Sequence, residues 1–435
     1  MIDESKVKIK LLTNSPIGHT LNTGQAFSLD NEWIVFDTRN KDTDIKITGS
    51  IGMVNVSTGE ERTIYTVPSQ SQYGPGVGAA SFSPVKDRVI FIHGIRNADV
   101  NKPYDFTRRT GVAIDIDRPQ RPIFMDARNI EKPYTPGALR GGTHAHSWSG
   151  DGQMLSFTYN DYVVEQAAKT NPGVKDLRTI GLMFPKKVSV PHRADLENND
   201  GEMFAVLAAT VTENPKPGSD EVDKAFDECW VGKDGYVKAN GTRQHKAIAY
   251  QGNIRDKNGN TVTELFIADI AENISKANFS KNIAGTEKNR PSVPEQISQR
   301  RITFTEKGVK GPRHWLRSNP DGSLIFFLSE DKKGLIQVFA VSPNGGVIKQ
   351  VSFNDFSVTS PINVSPDGRY LSYIADKSVF ITEVSTGKSY RLSPKEEPEN
   401  LSGAVVWSNN GKYLAFNRYV RSDKGVFLQI FLIEL

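Results

Sequence analysis

One phrase recurs along the chain and constrains the fold more than any other feature. A polar turn, often Ser-x-Asp-Gly, is followed at once by a short strand of alternating apolar residues. The turns lie at 28–31, 83–86, 149–152, 319–322, 365–368 and 408–411, and the strands after them at 33–37, 89–94, 154–159, 324–329, 370–375 and 413–418. Asp-Gly and Asn-Gly supply the positive φ of a tight hairpin, and period-two alternation is the mark of a half-buried strand. Further strands follow, such as 52–57, 111–116, 179–184, 264–269, 337–342, 379–384 and 429–434, and then outer ones such as 62–67, 300–305, 348–353 and 389–394. A repeated four-stranded antiparallel unit predicts an all-β fold, a β-propeller.

Seven units are expected. The stretch between Asp151 and Asp321 holds two of them, one enlarged, and an eighth blade hidden there is the alternative. The last unit ends at Leu435 with three strands. Residues 7–12 alternate correctly to supply the fourth, which would close the ring and remove a sheet edge. The whole of 1–435 then reads as a single propeller domain. Residues 213–242 break the repeat and are expected as an insertion within blade four, on the upper or the lower face. No long amphipathic helix is evident outside 219–229, within it.

Composition narrows the function classes. Lys plus Arg number 54 against 50 Asp plus Glu, a net +4 that does not suit a dedicated nucleic-acid binder. The single cysteine, Cys229, excludes an internal disulfide and a cysteine-rich zinc module. No apolar run approaches the about 18 residues of a membrane span. The opening residues lack a signal-peptide core, so the chain as written reads as cytoplasmic; a mature periplasmic chain would read the same. A closed ring needs no partner chain, so a monomer is expected.

The Ser-Pro-Asp-Gly phrase resembles the TolB-like propeller repeat. A broader resemblance, to the YidR-like bacterial family of unknown function, rests on Gly18-His19-Thr20-Leu21, Tyr104-Asp105-Phe106, Arg108-Arg109, Tyr134-Thr135-Pro136-Gly137 and Leu139-Arg140-Gly141-Gly142. His144, His146, the run 156–161, 217–221 and Pro312-Arg313-His314-Trp315 also match. This resemblance implies a propeller and no established activity. A looser one, to oligogalacturonate lyases, rests on Thr143-His144-Ala145-His146. In those enzymes such a phrase holds a metal ion together with another His and a Gln; Gly141 stands where the Gln would be, and the turn after the phrase is one residue shorter.

Strand assignment places every histidine except His245 on one face, here termed the upper. His144 and His146 share an innermost strand, two apart, which for a regular strand puts both side chains on one side. His314 holds the position in blade five that His144 holds in blade three. Three convergent imidazoles suit a divalent ion, Mn, Zn or Fe (or Ca), whereas any one of them alone reads as a packing histidine. His93 ends a second strand, and His19 and His192 lie in loops between blades. Arg140 and Arg313 precede the expected ligands. Asp105, Arg108, Arg109, Tyr159, Asn160 and Asp161 line the same rim, which would suit an acidic oligosaccharide or another small acidic ligand. Each Arg taken singly also suits a salt bridge between blades. Trp33, Trp148, Trp315 and Trp407 fall on repeat positions and read as packing; Trp230 reads either as a loop anchor or as a ligand-stacking ring.

Two functions follow. One is a metal-assisted carbohydrate enzyme, a lyase acting on uronic-acid-containing oligosaccharides. There His144, His146 and His314 hold the ion, His192 or else His93 takes the C5 proton, Arg140 or Arg313 steadies the enolate-like charge, and His19, Asp105, Arg108, Arg109, Tyr159, Asn160 and Asp161 bind substrate. The other is a non-catalytic TolB-like propeller that binds a protein or ligand over its upper face.

Overall fold

The phrase that defines the repeat is a self-contained hydrogen-bond device. In the turn of blade three, Ser149 Oγ donates to Asp151 Oδ1 at 2.6 Å and accepts from the Met154 N–H at 3.0 Å. Ser28, Ser365 and Ser408 make the same pair of bonds, the last with Asn410 in the Asp position. In blade five Asn319 replaces the serine, and its Oδ1 accepts from the Leu324 N–H at 2.8 Å. The fourth position is left-handed, with φ between 64° and 76° at Gly152, Gly322, Gly368 and Gly411, and Asn31 takes it at 65° in blade one.

In this computed structural model, which describes residues 7–191, 194–396 and 400–435, the strands form seven antiparallel blades in a ring. Blade three is Gly142–Trp148, Leu155–Asn160, Thr179–Val188 and Gly201–Leu207, from the axis outward. Blade two is Val77–Phe82, Arg88–Gly94, Arg109–Asp115 and Ile123–Phe124. Blade seven is Leu401–Trp407, Tyr413–Ser422 and Gly425–Glu434, completed by Lys8–Leu11, which pairs from Lys8 with Glu434 to Leu11 with Phe431. The ring is closed as the missing fourth strand predicted. Blade one has three regular strands, and residues 20 and 27 of its innermost segment make only isolated bridges to Asp37 and Ile34.

Each gap between adjacent blades is filled by its own hydrophobic cluster, seven in all among the described residues. Period-two alternation does this, because both faces of a blade are covered. Phe266, Ala268 and Ile270 enter the gap between blades three and four, while Leu265 and Ile267 of the same strand enter the gap toward blade five.

The segment expected as an insertion is corrected by the pairing. Residues 201–207 are the outer strand of blade three, and Lys224–Trp230 is the innermost strand of blade four, paired with Lys246–Arg255. The helical pattern at 219–229 is therefore overridden by a strand whose Ala225 is sealed in the gap toward blade three and Cys229 in the gap toward blade five. What blade four adds is a hairpin, Tyr236–Val237 with Arg243–Gln244, in its lower turn. Trp230 is an anchor: its Nε1–H donates to the Ser147 carbonyl at 2.9 Å. One short helix, Tyr162–Ala168, lies on the upper face, capped by Asp161 Oδ1 accepting from the Val164 N–H at 3.0 Å. No helix among the described residues is long and apolar enough to cross a membrane.

Candidate functional site

The upper mouth of the ring is shaped by a break in its innermost strands. Gln25, Ala79, Ala145 and Asp227 all have φ between 51° and 58°, and each precedes by two residues the point where its strand pairs again. The bulge at Ala145 separates His144, opposite Thr158, from Ser147, opposite Ser156. Simple alternation therefore does not govern His144 and His146, and their chemistry differs.

His146 is held. Its Nε2 lies 3.0 Å from Thr143 Oγ1, whose hydroxyl lies 3.2 Å from Asp126 Oδ2. Asp126 also accepts from Thr110 Oγ1 and the Gly111 N–H, yet burial raises its carboxyl to about 6. His144 is not held: both ring nitrogens are buried without a hydrogen-bond partner. Burial, then the charges of Arg109 and Arg178, keep it well below the usual imidazole range and hence neutral. Phe106 packs edge-on to it, with ring centroids 6.2 Å apart.

Cations surround this imidazole. Arg109 is buried between the rings of Tyr104 and Phe106, at 4.8 and 4.4 Å, and makes no ion pair among the described residues. Burial lowers its affinity for a proton, as it does for Arg178. Arg178 also lies over the Phe106 ring, 5.5 Å from its centroid, with its Nε donating to Asn160 Oδ1 at 3.1 Å. Arg313 stacks on Trp315 and reaches Asp227 Oδ1 at 3.3 Å. A buried guanidinium without a carboxylate is costly, and a neighbouring anion would offset that cost.

Several expected site residues have other work. His314 Nδ1 bonds the Pro312 carbonyl at 2.8 Å and its Nε2 accepts from the Leu328 N–H at 3.0 Å, so neither nitrogen is left for a metal. Among the described residues no group of three or more His, Cys, Asp or Glu side chains stands ready to hold an ion. The expected three-histidine centre does not fit a divalent cation, and guanidinia around His144 oppose one. His93 is no proton acceptor for a ligand: Nδ1 meets the Gly94 carbonyl and Nε2 the Tyr65 hydroxyl, 2.9 Å away. His19 is buried, with Nε2 3.1 Å from Ser15 Oγ and 3.2 Å from Glu61 Oε2. His192 lies outside the described residues.

Arg140 is sealed against Asp161 at 2.7 Å and holds the 286–289 loop through the Thr286 and Asn289 carbonyls. Tyr159 OH donates to the same Asp161, and Asn160 Nδ2 donates to Asp176 Oδ2 at 2.7 Å. Arg108 Nη1 donates to both oxygens of Glu197, at 2.7 and 2.8 Å, and Arg128 Nη2 donates to Oε1 at 3.0 Å. Burial alone would raise Glu197, but Arg128 and then Arg108 hold it down at about 2. Asp105 is exposed and caps the Phe106 N–H. Of the rim residues expected to bind a ligand, only Arg109 stands beside His144 with an unpartnered atom. The Gly141-Gly142 pair is explained by contact: a Cβ would meet the Asn160 carbonyl at Gly141 or the Phe106 carbonyl at Gly142, each at 1.9 Å.

Sequence reasoning missed Arg178, Lys224 and Asp227. Arg178 immediately precedes a third strand, at its upper end, a position the strand assignment made available. Lys224 and Asp227 were hidden by the reading of 213–242 as an insertion.

Comparison with known proteins gives likenesses in family, sequence and fold. Residues 76–198 match the family described as "Protein of unknown function (DUF3748)". The protein YidR of Escherichia coli (strain K12), itself described as uncharacterized, is 33% identical over 416 residues, 94% of each chain. An oligogalacturonate lyase solved in complex with manganese superposes with a TM-score of 0.51 at 10% identity, covering 98% of this chain and 93% of that one. A puromycin hydrolase S511A mutant superposes with a TM-score of 0.50 at 9% identity, covering 94% of this chain but only 51% of the enzyme, so this chain spans about half its length. At such identities the two structures bear on the fold alone.

Proposed function

The chain belongs to the YidR family, and from that premise and the chemistry of its upper mouth we propose that it is a ligand-binding propeller for a small acidic molecule, a carboxylate-bearing oligosaccharide. One observation carries this reading: Arg109, buried and without a carboxylate, beside His144, buried with both ring nitrogens unpartnered. A carboxylate entering there gains a guanidinium fork, with Arg178 and Arg313 adding their charge, while the neutral imidazole supplies a donor and an acceptor for sugar hydroxyls. Phe106, half exposed, adds apolar contact at the rim for a sugar ring.

Titration calorimetry with oligogalacturonates tests it. Wild type is expected to bind them, and Arg109→Gln to weaken binding at least tenfold. Arg178→Gln, at a less buried position, gives the same direction if Arg109→Gln fails to fold. Unchanged affinity in both variants overturns the reading.

A second reading, eliminative cleavage of a uronic-acid-containing chain, is favoured by one specific feature, the neutral state of His144 among cations. The imidazole would take the C5 proton, the guanidinia would carry the enolate-like charge, and the C4–O bond would break with protonation of the leaving oxygen. The products are an unsaturated uronate and a shortened sugar. Ultraviolet absorbance of the conjugated double bond reports it. Absence of signal with bound oligogalacturonate leaves the non-catalytic binder as the correct account.

A further inference from the structure

We propose that the cavity between blades four and five is a second acidic subsite, so that the ligand of the upper mouth is an oligomer carrying a negative charge on at least two neighbouring units. This rests on the binding reading above. The cavity measures about 410 Å³, within the about 300–1,000 Å³ typical of small-molecule sites. Its walls carry Arg178, Lys224, Lys310 and Arg313 against a single carboxylate, Asp227.

The charges there are not balanced internally. Asp227 is occupied by Arg313, at 3.3 Å. Lys310 reaches Glu330 only at the exposed surface. Lys224 makes no ion pair among the described residues and rests on the Phe226 ring, 4.5 Å away. Like charges gathered in a half-buried cavity repel one another, and an incoming anion relieves that repulsion. Arg178 joins the two places: it lines this cavity and also faces Phe106, beside His144. Arg109 and His144 do not line this cavity and Lys224 does, so a repeating acid can place one carboxylate at the inner station and another at the outer one.

The test is calorimetry with a uronic acid monomer, dimer and trimer, and with tripolyphosphate as the phosphate counterpart. Wild type is expected to bind the dimer at least tenfold more tightly than the monomer, and either more tightly than tripolyphosphate. Lys224→Gln is expected to reduce the dimer's advantage below threefold, and Arg109→Gln to weaken every length by a similar factor. A dimer no tighter than the monomer, or equal losses for both in Lys224→Gln, overturns the second subsite. Preference for tripolyphosphate overturns the carboxylate class. If Lys224→Gln abolishes the length dependence while Arg109→Gln changes nothing, the inner station is misassigned and the outer one stands. If no length binds, both fall.

Discussion

Gln25 and Trp148 exchange two hydrogen bonds: the Gln25 side-chain amide donates to the Trp148 carbonyl and its oxygen accepts from the Trp148 N–H, both at 3.1 Å. The two residues belong to the innermost segments of blades one and three, so the bonds skip blade two. Arg317 of blade five joins the same crossing, donating to the Thr23 carbonyl at 2.7 Å and to Asn363 of blade six at 2.7 Å. Side chains therefore cross the axis of the ring, tying together blades that are not neighbours.

Replacing Gln25 by Ala leaves a buried backbone N–H and carbonyl unpaired. A loss of about 1–3 kcal/mol is expected. Chemical denaturation measures it, and a change within error would show that water replaces the amide.

Glu228 makes stability depend on pH in the opposite sense to most carboxylates. It is buried, one oxygen accepting from Thr158 Oγ1 at 2.9 Å and the other unpartnered. Burial raises it to about 7, above the about 4.3 of the unfolded chain. Its contribution is thus complete below about 4.3 and is lost as pH rises through about 7. Glu228→Gln mimics the protonated acid. The variant is expected to match wild type near pH 4 and to exceed it at pH 8, read from melting curves; parallel curves would contradict a protonated Glu228.

Glu197 has the ordinary sign. Held at about 2 between Arg128 and Arg108, it stabilises the fold above about 4, and that contribution is lost as pH falls toward 2. Glu197→Gln leaves two buried guanidinia without their carboxylate. A cost of about 3–5 kcal/mol at neutral pH is expected from denaturation, together with a flatter acid limb. A cost under about 1 kcal/mol would mean the arginines find water.

Removal of residues 1–11 takes away the strand paired with Gly425–Glu434 and bares that edge. The shortened protein is expected to melt lower and to self-associate, as light scattering would show. A monomeric protein of unchanged melting temperature would mean that closure is maintained without this strand.

Metal removal is expected to change nothing. With His314 engaged at both nitrogens and guanidinia around His144, chelation should leave melting temperature and oligogalacturonate affinity unaltered. Loss of either on chelation, restored by Mn²⁺, would reinstate a metal at this mouth.

The repeat, the blade number and the closing strand were all legible in the sequence because their chemistry is local. A turn such as Ser149 to Met154 completes its hydrogen bonds within six residues, and strand alternation records which faces are buried. Blade four is obscured although its signal is present. Trp230-Val231-Gly232-Lys233-Asp234-Gly235 repeats Trp148-Ser149-Gly150-Asp151-Gly152 with one extra residue, and the added hairpin delays the next strand. The upper-face position of His144 followed from counting along a strand. Its freedom did not, nor did the engagement of His314, for each depends on which backbone groups a neighbouring blade brings near. Only closure of the ring sets Arg109 from blade two, Arg178 from blade three and Arg313 from the entry to blade five around one imidazole. Sequence determines the blade because hydrogen bonding and alternation act over a few residues. Tertiary structure decides the site because its charges meet only across gaps between blades.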